Sequence, residues 1–276
     1  MPFFVLPYPV IDPVLVNIGP LPIRWYALAY IAGLIGGWWL ARRIVAQVKA
    51  WGARARPEPE SLDDMLVYAA LGVVLGGRLG YVLFYNPAFF LAHPASIPAV
   101  WEGGMSFHGG LVGATLGLWL FARRVKAPFL SVFDLTACVT PIGIFFGRLA
   151  NFIKPELWGR PTDVDWAMVF PDVAAGPFPR HPSQLYEAAL EGIVLFLVLL
   201  VARRMGALQR PGLATGIFAI GYGVARIICE FFREPDAQLG FLFGGATMGM
   251  LLSLPLIAAG VGFLVHALRH RASLAS

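Results

Sequence analysis

Apolar stretches of about 20 residues, separated by loops that carry most of the basic residues, recur along the whole chain; that is the length a helix needs to cross a bilayer. In hydrocarbon a backbone must satisfy its own hydrogen bonds, so only helices and closed barrels qualify. The period-two alternation of barrel strands is missing. The expected fold is therefore an all-α integral membrane protein with seven transmembrane helices. They fall at Trp25–Ile44, Met65–Tyr85, Phe107–Ala122, Leu130–Ile153, Gln184–Ala202, Gly212–Phe232 and Phe241–His266. Only 13% of the 276 residues are charged, against about 25% in soluble domains.

Residues 1–23 hold six prolines, Pro2, Pro7, Pro9, Pro13, Pro20 and Pro22, and no basic residue before Arg24. Proline at that density excludes a spanning helix, and a signal peptide would open on a basic region. We read this segment as an interfacial arm. The seven-helix domain follows over residues 24–271, and its longest loop, 154–183, forms a small head with a short strand expected at Trp166–Phe170. Thirteen of the 21 Lys and Arg follow spans one, three, five and seven. Basic loops face the cytoplasm, so the N-terminus is expected outside and the C-terminus inside. The net charge of +5 thus belongs to loops, and no compact basic domain offers itself to nucleic acid. Cys138 and Cys229 fall in apolar spans, without the spacing of a metal site, and read as buried structural residues.

Polar residues inside the spans set the functional question. A membrane-embedded arginine costs at least ~2.5 kcal/mol on insertion scales, so it needs a partner or a task. Arg78, Arg148, Asn151, Arg226 and Glu230 lie in the C-terminal halves of even-numbered spans, and Tyr26, His108, Gln184, Tyr186 and Glu187 at the N-terminal ends of odd-numbered ones. In the expected topology all of these sit toward the outer leaflet. Arg148 and Asn151 share a face at i, i+3, as do Arg226 and Glu230, and Glu187 and Glu191, at i, i+4. Each also has a plainer reading: a self-neutralising pair for Arg226–Glu230, snorkelling for Arg78 and Arg148, a helix start for His108, an aromatic belt for Tyr26. The glycines around His108 permit either close ligand approach or tight helix packing.

Arginines in such a cluster suit an amphiphile with an anionic head, because the guanidinium fork matches phosphate. Metal catalysis wants grouped ligands, and the carboxylates here are paired with arginine or lie apart. Ser106 and Ser183 lack the turn of a serine hydrolase nucleophile. A lipid or anion transporter would show internal repeats and a midplane site, and an alcohol phosphotransferase would need clustered aspartates.

The segment Gly147-Arg148-Leu149-Ala150-Asn151-Phe152-Ile153, with Glu156 and Gly159, resembles the signature of bacterial prolipoprotein diacylglyceryl transferases. Four more blocks resemble the same family: Arg24-Trp25-Tyr26, Gly103 through Gly110, His181 through Glu187, and Gly221-Tyr222-Gly223 running on through Arg226, Glu230 and Arg233-Glu234-Pro235-Asp236. Lys154 stands where the family usually has Asn. The resemblance implies seven helices in the bacterial inner membrane and a site toward the outer leaflet. It implies transfer of the diacylglyceryl group of phosphatidylglycerol to the lipobox cysteine of a prolipoprotein signal peptide, with no cofactor. On that basis the expected catalytic residues are His108 as thiol base, Arg148 and Arg226 on the phosphate, Glu230 orienting Arg226, and Tyr26. Asn151, Glu156, Gly159, Arg78, Tyr186, Glu187 and Arg233 are expected to bind substrate. The glycine-rich third span and loop 154–183 are expected as gate and lid.

Overall fold

The computed structural model describes residues 6–9, 11–235 and 240–274; Asp236 and the first five residues of the arm lie outside the described residues. Among the described residues seven long helices organise the chain: α1 Trp25–Ala46, α2 Leu62–Phe84, α3 Phe107–Arg124, α4 Phe129–Ile153, α5 Ser183–Arg204, α6 Leu213–Glu230 and α7 Met248–Leu274. Among the described residues, five segments are long and apolar enough to cross a membrane: Pro59–Phe84, Phe129–Ile153, Ser183–Arg204, Leu213–Glu230 and Met248–Arg269. α1 and α3 are long helices outside that set: tryptophan, tyrosine and glycine dilute the apolar content of α1, and glycine, His108 and the terminal arginines that of α3. The protein is thus a mostly helical chain with the composition of a multi-pass membrane protein. Helix ends carry the charges that suit the backbone dipole: Asp63 and Asp64 open α2, while arginines close α1, α3 and α5.

Two expectations are corrected, at the head strand and at the seventh helix. Within the arm, Val14–Ile18 (β1) and Leu21–Arg24 (β2) form an antiparallel hairpin. Its turn is Gly19-Pro20, with Gly19 at positive φ, and its second strand hands the chain directly to Trp25. The expected strand Trp166–Phe170 is reduced to isolated bridges at Met168, which exchanges backbone hydrogen bonds with Arg180. The seventh helix starts at Met248 rather than Phe241. Gly244 and Gly245 take positive φ and turn the chain before it, a conformation that glycine adopts without steric cost.

The chain divides into two compact units, Ala41–Leu135 and Met1–Leu40 with Thr136–Ser276. In Ala41–Leu135, α2 and α3 pack backbone to backbone through glycines. A Cβ added at Gly113 would overlap the Gly72 carbonyl, and one at Gly72 would overlap the Gly113 carbonyl. The glycine run of α3 is therefore used in helix packing. At the other end of this unit Arg54 reaches Asp134 at 2.7 Å, Ser131 Oγ donates to the Ala55 carbonyl at 2.6 Å, and the indole of Trp51 donates to Ile44 at 3.1 Å. These contacts bind the linker after α1 to the start of α4.

In the larger unit α6 and α7 pack along their length, and Gly33 of α1 meets Gly143 of α4. Loop 154–183 is anchored by a small apolar core of Tyr8, Phe152, Phe170 and Ala175, with Trp158, Met168 and Leu185 against it. The Tyr8 hydroxyl donates to the Phe152 carbonyl at the end of α4. Burial pushes the Tyr8 hydroxyl pKa up to about 12, so this donor stays protonated. Both cysteines are buried.

Candidate active site

Six charged side chains from α4, α5, α6 and the segment after α6 meet in one cluster. α5 supplies Glu187 and Glu191, α4 supplies Arg148, α6 supplies Arg226 and Glu230, and Arg233 follows one turn later. Arg148 donates from Nε and Nη2 to Glu191 Oε2 at 3.2 and 3.0 Å, and its Nη1 lies 3.2 Å from Glu187 Oε2. Arg226 donates from Nη1 to Glu187 Oε1 at 2.6 Å, and its Nη2 forms a close ion pair with Glu230 Oε1. Arg233 Nη1 reaches the same Glu187 oxygen at 3.5 Å. Glu187 thus ties together three arginines.

The α5 backbone changes register at this level, since Ala188–Val194 is a π-helix. Single π-turns inside α-helices concentrate at functional sites. Glu191 lies within this one, facing Arg148. On the same segment, Gly192 lets α5 approach α4: an added Cβ would sit 2.8 Å from Phe145 Cβ.

Three arginines against three glutamates make a formally neutral group, which is how such side chains can be kept out of water. The arrangement has a direction. The Glu187 and Glu191 side chains are 0% exposed, whereas Arg148 retains 17% and Arg226 13%. What exposure the Arg148–Arg226–Glu187–Glu191 group retains lies on the two guanidinium side chains, with both carboxylates fully covered. Glu191 Oε1 and Glu187 Oε2 are buried without a hydrogen bond, so the carboxylates hold the arginines by charge as much as by geometry.

A second polar group adjoins the end of α4. Asn151 Nδ2 donates to Glu156 Oε1 at 2.8 Å, and Lys154 Nζ pairs with Glu156 Oε2 at 2.7 Å. Lys154 also lies over the Tyr26 ring, 5.4 Å from its centre. Lys154 therefore places a cation here that Glu156 neutralises. Gln184 Nε2 donates to the Glu156 carbonyl at 2.7 Å, and Ser183 Oγ to the Leu157 carbonyl at 3.0 Å. Leu157 sits at positive φ, a conformation that needs such external support.

Gly159 is where three segments cross. Its N–H donates to the His181 carbonyl at 2.9 Å, and it bridges to Arg233. A Cβ there would lie 2.6 Å from both His181 Cβ and the Phe232 carbonyl oxygen. Arg160 extends the crossing by donating to the carbonyls of Arg233 and Glu230, each at 2.9 Å. The Tyr186 hydroxyl accepts from the Trp166 indole at 2.6 Å and pairs with His181 Nδ1 at 3.1 Å. Burial, then the charge of Arg160, lowers the His181 pKa, favouring the neutral ring.

Of the expected residues, Arg148, Glu187, Arg226, Glu230 and Arg233 come together directly, with Tyr26, Asn151, Glu156, Gly159 and Tyr186 on neighbouring supports in the same unit. Arg78 and His108 belong to the unit Ala41–Leu135. Arg78 is 5% exposed, and its guanidinium donates to the carbonyls of Ser96, Ile97 and Gly103 at 2.6, 2.7 and 2.6 Å. It shapes the loop that leads to α3. His108 is exposed in the first turn of α3, behind the Ser106 N-cap, and touches Phe107 edge-on. Sequence reasoning did not single out Thr247, whose hydroxyl donates to Glu230 Oε2 at 2.6 Å. A threonine before an apolar helix carries no mark that separates this use from simple capping.

The family model described as prolipoprotein diacylglyceryl transferase matches residues 13–266. A phosphatidylglycerol–prolipoprotein diacylglyceryl transferase of Methylocella silvestris is 69% identical over 269 residues, covering 98% of both chains. Proteins of the same name from Beijerinckia indica and Allorhizobium ampelinum are 64% and 59% identical, covering 95% and 94% of this chain and 96% and 91% of theirs. A match that runs from the hairpin to the last helix takes in every segment that builds the cluster, and on it the chain belongs to the prolipoprotein diacylglyceryl transferase family.

Proposed function

We propose that the protein transfers the diacylglyceryl group of phosphatidylglycerol to the thiol of a prolipoprotein's lipobox cysteine, the first step of bacterial lipoprotein maturation. In the reaction a sulfur–carbon bond forms at the glycerol carbon that bore the phosphate. The carbon–oxygen bond breaks, its electron pair leaves with glycerol phosphate, and the thiol proton goes to a base. Free thiols have a pKa of about 8.5, so removal of that proton is part of the barrier.

The observation that carries this reading is the polarity of the cluster, with Arg148 and Arg226 partly exposed and Glu187 and Glu191 fully buried behind them. The leaving phosphate gains negative charge as the bond breaks. Guanidinium groups already fixed by ion pairs stabilise that charge without reorganising, and more strongly than they stabilise the bound lipid. Because the group is neutral before substrate arrives, the phosphate must compete with internal carboxylates. Binding then rests on the exposed edges of the two arginines rather than on an empty basic pocket.

The remaining roles follow from contacts and chemistry. Glu187 and Glu230 hold Arg226, and Arg233 adds charge behind Glu187. Asn151 and Glu156, with Tyr26 beside Lys154, form a polar ledge for the glycerol headgroup. Gly159 and Tyr186 keep the head segment seated over α5. Arg78 holds the loop that carries Gly103 to Ser106. His108 is assigned the thiol proton on the chemistry of an exposed imidazole and on the glycine-flanked motif it belongs to.

The basic helix ends favour seven spans with the N-terminus outside and the C-terminus in the cytoplasm. This puts the cluster in the outer half of the inner membrane, where a precursor's signal helix and phosphatidylglycerol both arrive through the bilayer. The arm 1–23 and the head 154–183 then lie on the periplasmic side of the seven-helix domain.

The experiment is a transfer assay in detergent with phosphatidylglycerol and a lipobox peptide, read by mass. A diacylglyceryl gain on the cysteine peptide and none on its Cys→Ser analogue is the expected result. No gain with phosphatidylglycerol in the micelle would overturn the reading.

A further inference from the structure

Thr247 is the last residue before α7 and is 2% exposed. Its hydroxyl oxygen accepts the Met250 N–H at 3.3 Å, as an N-cap does. The hydroxyl proton points elsewhere, to Glu230 Oε2 at 2.6 Å. One hydroxyl therefore joins the start of α7 to the ion cluster at the end of α6. The other oxygen of Glu230 is the one paired with Arg226 Nη2. Gly249 closes the third side, since a Cβ there would lie 2.6 Å from Glu230 Cδ. The Glu230 side chain is only 4% exposed, so water cannot replace the threonine donor from the open side.

We propose that Thr247 is a positioning residue for the transfer reaction: its hydroxyl fixes the carboxylate of Glu230, and Glu230 in turn holds the guanidinium of Arg226 in place. Capping alone does not account for the geometry. A cap needs only an acceptor, and many residues cap without a buried carboxylate in reach of their proton. Without the donor, Glu230 Oε2 is a buried charged oxygen with one partner fewer. The carboxylate is then free to rotate about its last bond and present either oxygen to Arg226. The ion pair survives that rotation, but the direction of the guanidinium does not. An electrostatic catalyst depends on that direction, because its value lies in being set before charge develops. The inference rests on the reading of Arg226 as a group that faces the lipid phosphate.

The test measures kcat and KM for phosphatidylglycerol, with thermal stability, in Thr247→Ser, Thr247→Gly and Thr247→Ala, alone and combined with Arg226→Lys. Serine keeps the cap and the donor. Glycine is well tolerated at an N-cap but removes the donor, and alanine provides a second donor-free variant. The expected result is wild-type kcat for serine and a loss of about tenfold for glycine and alanine, the size set by a hydrogen bond to a charged group. KM should change little, and Tm in the glycine variant should fall only slightly. Neither donor-free variant should slow Arg226→Lys further. Wild-type kcat in the glycine or alanine variant overturns the proposal, as does a full tenfold loss added on top of Arg226→Lys. If Arg226→Lys itself turns over like wild type, the reading of the cluster fails and the positioning role fails with it.

Discussion

Arg148 grips Glu191 by a single oxygen: Nε and Nη2 converge on Oε2 at 3.2 and 3.0 Å, while Oε1 stands 3.6 Å from Arg226 Nη1. Glu191 therefore spans the two arginines rather than neutralising one of them. Removing one member of a buried ion group leaves its partners' charge uncompensated, which costs about 3 kcal/mol or more, whereas removing both sides costs less than the sum. Arg148→Gln and Glu191→Gln should each lower stability sharply, and the double variant should recover part of the loss. A coupling of about 2 kcal/mol is expected from the double-mutant cycle. Detergent unfolding of the four proteins measures it, and additive losses would show that the contact carries no coupling.

Charge balance also sets the response to ligand. Glu191→Gln turns a cluster of three positive and three negative groups into one with an excess positive charge. Phosphatidylglycerol should then bind more tightly, with KM falling severalfold, on the order expected for one unscreened charge near a membrane site. Titration in mixed micelles of phosphatidylglycerol and a neutral lipid reads this directly. An unchanged or raised KM in a folded variant would mean that the headgroup phosphate does not sit against this group.

Arg226 meets two different carboxylates with its two terminal nitrogens, Glu187 with Nη1 and Glu230 with Nη2. A lysine ammonium keeps the charge but cannot span both in one plane. Arg226→Lys should fold, bind lipid and lose about 100-fold in kcat, within the range seen when a preorganised donor is removed. Full activity in that variant would show that point charge is sufficient.

Parts of this site are legible in the sequence. The i, i+4 spacing of Arg226 and Glu230 predicts their ion pair, and the same spacing of Glu187 and Glu191 puts both on one face of α5. Local spacing does not say which helix that face meets. The pairing of Glu187 and Glu191 with Arg148 depends on how α5 lies against α4, which in turn depends on Gly192 seated at Phe145 and on the π-turn. Neither leaves a pattern in hydropathy. The α5 carboxylates that reach Arg148 and Arg226 come from another helix and are invisible in the arginines' own stretches. At the termini the missed signals were local. Gly19-Pro20 between two short extended runs is a hairpin turn, and Gly244-Gly245 is a stop that keeps α7 from starting at Phe241.

His108 is exposed in the first turn of α3. As the group that takes the thiol proton, His108 is replaced in His108→Asn, which should lower kcat by about 100-fold or more, as removal of a general base does. The same transfer assay on wild type provides the reference rate. Near-normal turnover would assign the proton elsewhere.

His181 supplies a pH dependence of stability rather than of chemistry. Burial and the neighbouring Arg160 lower its pKa from the ordinary 6.5, so the folded protein prefers the neutral ring. Below 6.5 the unfolded chain takes up a proton that the folded chain resists, and unfolding gains from each such proton. The stabilising contribution is therefore present above about pH 6.5 and is lost as pH falls from there toward the depressed folded value. Nδ1 of this ring pairs with the Tyr186 hydroxyl at 3.1 Å, and that hydroxyl already accepts from Trp166 at 2.6 Å. In the neutral protein it can donate its own proton to Nδ1; protonation turns Nδ1 into a donor and removes that arrangement. Melting temperatures of wild type and His181→Gln between pH 5 and pH 8 test the argument. Wild type should lose stability on acidification more steeply than the glutamine variant, with the two slopes converging above pH 7. Parallel curves across the whole range would show that His181 titrates alike in the folded and unfolded chains.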